Sequence, residues 1–331
     1  MSVQALFKRS AEDFVVHEQL GFSPSGEGEH LFVEIEKRGM NTQWACKLLA
    51  EACGVRERDI SHSGLKDRHA VTRQWLSVWL PGKTDPDLSA LNTDELQVLN
   101  VSRHHKKLRI GTHKANDFII RLHQLSDVDQ AQQALTTLAQ HGFANTFGDQ
   151  RFGRDQHNLT VFDAVLAGKR MKKPRQSMAI SAARSALFNA VAAHRQAEGL
   201  MQQVLAGDVL MLAGSHSVFV AQADELPTLQ QRLDSGDVQL TGPLWGKGGV
   251  VAEGAAQALE QAALSDWQDY CQGLEKLASA SRRPLWLKPA LTWQWQGNSV
   301  ELRFTLPTGS YATALLGQAF TLTEPARVEE T

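Results

Sequence analysis

Apolar and polar residues alternate in many short stretches of the chain, a pattern that predicts β-strands. In residues 30–39, Leu31, Val33 and Ile35 fall on one face and glutamates occupy the other, as expected of a half-buried strand. The same reasoning predicts further strands at 14–16, 60–63, 72–82, 97–104, 117–125, 207–212, 217–222, 291–295 and 299–306. The last two flank the tripeptide QGN, which is typical of a hairpin turn.

Apolar residues at helical spacing predict helices between these strands. Residues 41–54 are the clearest case, with Asn41 or Thr42 as N-cap and Gly54 just past the end. The predicted apolar stripe of this helix consists of Trp44, Leu48, Leu49 and Ala52. Further helices are predicted at 127–142, 177–198, 254–280 and, after a turn with Ser310 as candidate N-cap, within 310–319.

The order of these elements predicts an α+β fold. Strands follow one another without the regular alternation with helices that builds a parallel sheet, so a mixed, largely antiparallel sheet is expected. From residue 142 onward the chain is mainly helical and glycine-rich, and strand-rich segments lie before and after this block. That arrangement favours one domain inserted into another.

Composition sets the broad class of the protein. The chain has 331 residues, 42% of them hydrophobic, which is enough for one large or two medium globular domains. Its three cysteines include no CxxC pair, and neither a signal peptide nor an apolar run of about 18 residues is present. We therefore expect a cytoplasmic protein without a membrane segment.

Several kinds of catalytic site are disfavoured by the motifs. The chain contains 12 histidines but no HExxH and no Cys/His pair at zinc spacing, so no metal site is expected. The glycine-rich stretch GPLWGKGG has neither the spacing nor the Ser or Thr of a phosphate-binding loop. A GxSxG nucleophile elbow is also missing from the sequence.

Two basic clusters stand out against a net charge of −2. They contribute seven candidate residues for contact with a phosphate backbone: Lys106, Lys107, Arg109, Lys169, Arg170, Lys172 and Lys173. A run of charge is often only a solvated surface, and that interpretation stays open here. The alternative is a polarised surface that binds a phosphate backbone.

Asp67 is the one acidic residue in the segment SHSGLKDRHAVTRQWLSVWL, residues 61–80. A loop aspartate with cationic neighbours is most often a turn or salt-bridge residue. The same neighbours would keep a nucleophilic carboxylate ionised by lowering its pKa. The local sequence does not separate these two hypotheses.

Six blocks, in order over almost the whole chain, resemble the TruD family of tRNA pseudouridine synthases. They are residues 12–42 (EDFVVHEQLGFSPSGEGEHLFVEIEKRGMNT), 64–75 (GLKDRHAVTRQW), 113–118 (HKANDF), 145–153 (NTFGDQRFG), 181–189 (SAARSALFN) and 306–313 (LPTGSYAT). Because the blocks span the chain, the resemblance is much more specific than one short motif.

The resemblance implies a pseudouridine synthase fold made from residues 1–141 and 286–331, with an inserted TRUD domain at 142–285. It implies isomerisation of a tRNA uridine, at position 13 in the bacterial members, to pseudouridine without a cofactor. tRNA is then the partner, and a monomer without an obligate protein partner is expected.

Individual residues carry over from the matching blocks. Asp67 matches the catalytic aspartate, with Lys8 as its ion-pair partner. Asn116 and Phe118 match residues that line the uridine pocket. Tyr311 falls on the aromatic position that stacks on the target base, where the family pattern has Phe. The aromatic residue that the pattern has after Asn145 is Thr146 here.

Overall fold

Sixteen β-strands and eight α-helices form within residues 2–325, the part of the chain that this computed structural model describes. The strands are β1 (Val3–Phe7), β2 (Phe14–Gln19), β3 (His30–Arg38), β4 (Ile60–His62), β5 (Val71–Trp79), β6 (Leu96–His104), β7 (Ala115–His123), β8 (Phe143–Ala144), β9 (Val209–Leu212), β10 (Val218–Val220), β11 (Val238–Leu244), β12 (Ser281–Pro284), β13 (Trp286–Leu287), β14 (Thr292–Gln296), β15 (Ser299–Pro307) and β16 (Phe320–Thr323). The helices are α1 (Thr42–Ala52), α2 (Val128–His141), α3 (His157–Leu166), α4 (Lys173–Ala197), α5 (Leu226–Asp234), α6 (Gly254–Ala263), α7 (Gln268–Leu277) and α8 (Ala312–Leu316).

The chain divides into two compact units. Among the described residues, the first unit contains the chain up to Gln140, Pro289–Ala312 and the residues from Leu316 onward. The second contains His141–Lys288 and Thr313–Leu315. The inserted domain at 142–285 stays a prediction. In the two predicted segments that flank it, residue 1 and residues 326–331 lie outside the described part of the chain.

One ten-stranded sheet forms the first unit. Seven strands follow the order β14-β15-β7-β2-β5-β3-β6, while β1 pairs with β7 and β16, and β4 pairs with β5. Only the pairs β1–β16 and β2–β5 are parallel. The expectation of a mixed, largely antiparallel sheet in an α+β fold is therefore confirmed.

Strand β3 is buried more completely than its alternating pattern predicted. Leu31 and Val33 pack in a cluster with Leu49 of α1, on the face that the pattern marked as apolar. Phe32 points to the opposite face and is also 0% exposed, packed against Leu20 and Leu108. Both faces of the sheet are therefore covered at β3, by α1 on one side and by Leu20 and Leu108 on the other.

Helix α1 begins where the sequence predicted, but its buried face is different. The Asn41 side chain accepts a hydrogen bond from the Trp44 N–H at 2.7 Å, which is the predicted N-cap. Ala45 and Leu49 are buried, whereas Trp44 is 48% exposed. Since Trp44 lies one position around the helix from Ala45, its ring faces outward and instead contacts the Lys47 amine, 5.0 Å from its centre.

Other predicted helices differ in their bounds. The stretch 254–280 is two helices, α6 and α7, separated by the 3-10 turn Ser265–Trp267. Helix α4 begins at Lys173, earlier than predicted, because proline in the first turn is compatible with a helix start. After the short α8, the chain forms strand β16, which the sequence pattern did not predict. The elements α3, α5, β11 and β12 were also not predicted.

The second unit is built around helix α4. A four-stranded antiparallel sheet has the order β10-β9-β11-β12, and a separate two-stranded ladder pairs β8 with β13. Leu187 of α4 packs with Phe162 of α3 and Leu274 of α7 in one buried cluster. None of the helices in the described part of the chain combines the length and the apolar character that a membrane span requires.

A buried ion pair joins α4 to Asp208, the residue just before β9, within the second unit. Arg195 donates to both carboxylate oxygens of Asp208, at 2.6 and 3.1 Å, and both side chains are 2% exposed. Breaking such a pair leaves an uncompensated buried charge. In the same unit, Arg232 and Asp237 form a pair at 2.6 Å whose side chains are 37% and 57% exposed.

We expect Asp208→Ala to destabilise the second unit by about 3–5 kcal/mol, because it leaves the Arg195 guanidinium buried without a counter-charge. The matched control Asp237→Ala should cost about 0–1 kcal/mol, since that pair is solvated. Urea unfolding of the full chain, followed by tryptophan fluorescence and circular dichroism, measures both. Equal losses in the two variants would contradict the role assigned to burial.

Candidate active site

The candidate nucleophile, Asp67, lies in the loop that joins β4 to β5. Its side chain is 26% exposed. One carboxylate oxygen, Oδ2, accepts a hydrogen bond from Lys8 Nζ, and Oδ1 accepts one from the His69 backbone N–H at 3.3 Å. The carboxylate is therefore fixed from two sides while part of it stays accessible.

Lys8 directly follows β1 and has a φ of 54°, in the left-handed region. A residue with a side chain pays about 1–3 kcal/mol for such a conformation, so the position of its amine is under constraint. The side chain is 11% exposed, and Nζ lies 4.4 Å from the centre of the Phe14 ring and 5.2 Å from that of Phe7. These ring faces replace part of the water that a cation loses on burial.

Lys37, on β3, is buried beneath the same loop. Its Nζ donates to the backbone carbonyl of Asp67 at 2.9 Å and to that of Met40 at 2.6 Å. Burial lowers the pKa of Lys37 to about 8, and the Lys66 charge adds to this effect, while the nearby Asp67 charge opposes it. Lys37 thus fixes the backbone of the loop at the residue that bears the carboxylate.

The Lys66 amine anchors the other side of the loop by pairing with Glu18 of β2. The Nζ–Oε2 distance is 2.5 Å, and the two side chains are 7% and 0% exposed. Glu18 also accepts a hydrogen bond from the Trp75 N–H at 3.3 Å, and the Lys66 N–H donates to Thr42 Oγ1 at 3.0 Å. The loop is therefore tied to β2, β5 and the first residue of α1.

Opposing effects set the pKa of Asp67. Burial raises the pKa of this carboxyl group, but the positive charge and hydrogen bond of Lys8, together with the His69 N–H, outweigh it. The pKa of Asp67 is lowered below its ordinary value of 3.8. The carboxylate is consequently ionised at neutral pH, as a nucleophile must be.

Asn116 and Phe118 occupy β7 on one face of the sheet. Side chains two residues apart on a strand share a face, and directly paired residues do so across strands. Asn116 pairs with Glu18 of β2, so the amide lies on the face that carries the Lys66–Glu18 ion pair. Phe118 is 7% exposed, and its ring stacks on Phe304 of β15 with centres 5.3 Å apart.

Tyr311 lies at the end of the turn after β15, one residue before α8, and is half-buried. The start of this turn is fixed to the chain just before β7. Thr308 donates through its hydroxyl to the His113 carbonyl, and its N–H donates to the Lys114 carbonyl at 3.2 Å. The structure thus brings Lys8 and Asp67 into direct contact and connects the other candidate segments through the sheet of the first unit.

All seven candidate RNA-contacting cations are exposed. Lys106, Lys107 and Arg109 lie between β6 and β7, while the others lie between α3 and the start of α4. Within residues 2–325, none of the seven forms an ion pair with a carboxylate. Their charges are therefore not compensated locally.

Three residues of this site were missed by the sequence reasoning: Lys37, Lys66 and Glu18. Two of them left a signal in the alternation. Lys37 continues the buried series of Leu31, Val33 and Ile35, and Glu18 continues the buried series of β2. A charged residue at an apolar position of a strand indicates a buried charge with a specific partner.

Metal and thiol chemistry find little support in the geometry. Among the described residues, no group of three or more His, Cys, Asp or Glu side chains could hold a metal ion. Burial raises the thiol pKa of Cys46, Cys53 and Cys271 to about 11, so these thiols are protonated at neutral pH. Asp67, by contrast, carries a carboxylate that is ionised at neutral pH, and this is the charge state in which a carboxylate can act as a nucleophile.

Comparison with known proteins gives the family. The family model tRNA pseudouridine synthase D (TruD) matches residues 2–169 and 160–318. A tRNA pseudouridine synthase D of Aeromonas hydrophila is 49% identical over 318 residues, which are 95% of this chain and 90% of that protein. The corresponding protein of Aeromonas salmonicida is 47% identical over the same shares. The chain therefore belongs to the TruD family of tRNA pseudouridine synthases.

The fold agrees with a solved structure. A crystal structure from Methanosarcina mazei, described as a putative tRNA pseudouridine synthase D (TruD), superimposes with a TM-score of 0.73. It covers 96% of this chain and 94% of its own, at 21% sequence identity. At that identity the likeness concerns the fold alone.

We expect Lys8→Met to raise the pKa of Asp67, because burial is then no longer offset by the adjacent positive charge. Lys8→Arg, which keeps the charge, should change the pKa much less. Carbon-13 NMR of labelled aspartate carboxyl groups measures the titration, with Asp67→Asn assigning the signal. An unchanged midpoint in Lys8→Met would show that Lys8 does not control the charge of Asp67.

Proposed function

We propose that this protein isomerises uridine in tRNA to pseudouridine, with Asp67 as the nucleophile. The observation that carries the proposal is the ion pair of Lys8 and Asp67, in a chain nearly half identical to relatives named tRNA pseudouridine synthase D. Modification at tRNA position 13 is the finer form of this proposal and comes from the resemblance of the sequence blocks.

The reaction breaks the bond between the ribose anomeric carbon and ring nitrogen N1, and forms a bond from that ribose carbon to ring carbon C5. The proton on C5 is lost and N1 gains one, so substrate and product are isomers. No oxidant, reductant or transferred group has to be supplied, which is why we propose that no cofactor takes part. Asp67 attacks either ring carbon C6 or the anomeric carbon, and both routes need an ionised carboxylate.

Lys8 has a specific task in this mechanism. When RNA covers the site, the Asp67 carboxylate loses most of its remaining water, which favours protonation. The Lys8 amine is already largely buried against aromatic rings and in contact with the carboxylate, so RNA binding removes little of its hydration. We propose that this fixed cation keeps Asp67 ionised in the complex.

The remaining site residues hold the base. The target uridine must leave its stack, and stacking on Tyr311 returns about 1–3 kcal/mol of that cost. Asn116 offers an amide that can hydrogen-bond the uracil while the base turns. Phe118, stacked on Phe304, contributes to the floor of the pocket beneath the base.

We further propose that the exposed cations contact the tRNA backbone, because they are not paired with carboxylates in the described part of the chain. A phosphate chain would supply the missing counter-charge. The cytoplasm is the proposed location, where tRNA is available and the free thiols stay reduced. A monomer is proposed as the working form.

Loss of the Asp67 carboxylate should abolish the reaction. We expect Asp67→Asn to lower the rate about a thousandfold or more while leaving the fold and tRNA affinity close to wild type. The measurement is pseudouridine mapping at nucleotide resolution, with purified protein on unmodified tRNA and in cells with and without the protein. Asp94→Asn, an exposed loop aspartate of the same unit, is the matched control.

Two outcomes would contradict the proposed function. Wild-type protein that binds tRNA but forms no pseudouridine would indicate a binding protein without catalysis. Release of free uracil would indicate a carboxylate-based hydrolase, because isomerisation releases no base.

Charge reversal at Lys169, Arg170, Lys172 and Lys173 should weaken tRNA binding, most strongly at low salt, because released counterions drive such binding. The slope of log affinity against log salt should become shallower, by roughly 0.7–0.9 for each phosphate that the protein no longer neutralises. Filter binding between about 50 and 200 mM salt measures the slope. The control is the single charge reversal Lys276→Glu on α7. A salt slope that is unchanged from wild type and equal to that of this control would refute the assignment.

A further inference from the structure

A buried imidazole, His113, lies beside the amide of Asn116, and the mechanism above does not use it. His113 is 8% exposed and sits just before β7. Its Nε2 is 3.2 Å from Asn116 Nδ2. With the amide nitrogen against the ring, that nitrogen donates and Nε2 accepts, so the imidazole is neutral with its proton on Nδ1, which is buried and has no hydrogen-bond partner among the described residues.

The protonation of His113 and the orientation of the Asn116 amide are therefore coupled. If Nε2 carries a proton, it can only donate, and the amide must rotate to present its oxygen to the ring. With Nε2 unprotonated, the amide nitrogen faces His113 and the oxygen faces away. That oxygen is buried, and no described residue donates to it.

Burial of the ring, together with the Lys66 charge, favours the neutral form. The Lys66 amine, from the loop between β4 and β5, and the Glu18 carboxylate, from β2, both act on His113. Burial lowers the pKa of His113 below its ordinary value of 6.5, Lys66 lowers it further, and Glu18 opposes them. In the turn just after β15, the uncharged Thr308 hydroxyl donates to the His113 carbonyl.

A buried acceptor without a donor is unfavourable, and this cost is relieved when a ligand donates a hydrogen bond to it. Uracil carries one N–H on its pairing edge, at N3. Cytosine has a lone pair at the same place. An Asn116 oxygen turned away from His113 therefore matches uracil and opposes cytosine.

We propose that neutral His113 is a positioning residue that orients the Asn116 amide so that its oxygen accepts the N3–H of the target uracil. This inference rests on the proposed function, and it adds a basis for selecting uracil. It also predicts that activity falls when His113 is protonated, because the rotated Asn116 amide then directs its own N–H donor at the N3–H donor of uracil.

Two substitutions separate positioning from a merely structural role. His113→Gln can place a carbonyl oxygen against Asn116 Nδ2 and cannot become charged, so kcat/KM near pH 7.5 should stay close to wild type. His113→Phe keeps an aromatic ring but has no acceptor, and we expect a loss of about tenfold, the value of one hydrogen bond. Thr308→Val removes the bond to the His113 carbonyl and serves as the structural control.

The pH dependence of kcat/KM distinguishes positioning from packing, because a change in packing alone would not move its midpoint. In wild type, kcat/KM should fall below pH 6.5 as His113 is protonated, and in His113→Gln this fall should move to lower pH. Thr308→Val should keep the wild-type midpoint. In His113→Phe, where nothing orients the amide, tRNA with cytidine at the target position should inhibit more strongly than it inhibits wild type.

Nitrogen-15 NMR of histidine-labelled protein tests the tautomer without any activity, with His113→Gln assigning the signal. We expect an unprotonated Nε2 at pH 7. A protonated Nε2, equal losses in the Gln and Phe variants, or an acid limb unchanged in His113→Gln would each overturn the inference. These results are distinct from failure of the proposed function, in which wild type forms no pseudouridine at any pH.

Discussion

The burial of opposite charges around residue 67 is the constraint on which the first unit depends. Three lysines and two carboxylates, namely Lys8, Lys37, Lys66, Glu18 and Asp67, are withdrawn from water to different degrees. Removing an ion from water costs several kcal/mol unless a partner and hydrogen bonds replace the lost hydration. The groups come from the end of β1, from β2, from β3 and from one loop, so these elements must meet in one register for any of the charges to be tolerated.

Each lysine in this group resolves its burial differently. Lys66 pairs with a fully buried carboxylate, and Lys8 pairs with Asp67 and contacts two aromatic rings. Lys37 donates hydrogen bonds to two backbone carbonyls. Lys37 has no direct carboxylate partner among the described residues, and burial accordingly lowers its pKa. The outcome is a loop whose backbone is fixed on both sides of Asp67, although the carboxylate itself stays partly accessible.

Much of this architecture could be predicted from the sequence. Strand alternation located β3, β5 and β7, the Asn41 cap located α1, and the absence of a βαβ rhythm gave the mixed sheet. Asp67 and Lys8 were paired only through the family resemblance, because no local pattern relates residues 59 positions apart. Their contact is present in the structure, while their catalytic roles stay a proposal.

The parts of the fold and of the site that could not be predicted depend on tertiary contacts, which the periodicity of the sequence does not encode. Trp44 looks like part of an apolar stripe, but the narrow face of α1 that meets the sheet takes Ala45 and Leu49 instead. Strand β16 follows a helix-like segment and pairs in parallel with β1, a strand far away in the sequence. The His113–Asn116 contact requires knowing which ring nitrogen faces the amide, and spacing in the sequence carries no such information.

The parallel pairing of β1 with β16 has a consequence for synthesis on the ribosome. Val3 pairs with Phe320, and Lys8 follows directly after β1, so the strand that leads to this amine lacks its parallel partner until β16 has been synthesised. Until β15 emerges, β7 also exposes an unpaired edge, which is a template for aggregation. A nascent chain can therefore form helix α1 before these strands emerge, but the sheet of the first unit is complete only once β15 and β16 have been synthesised.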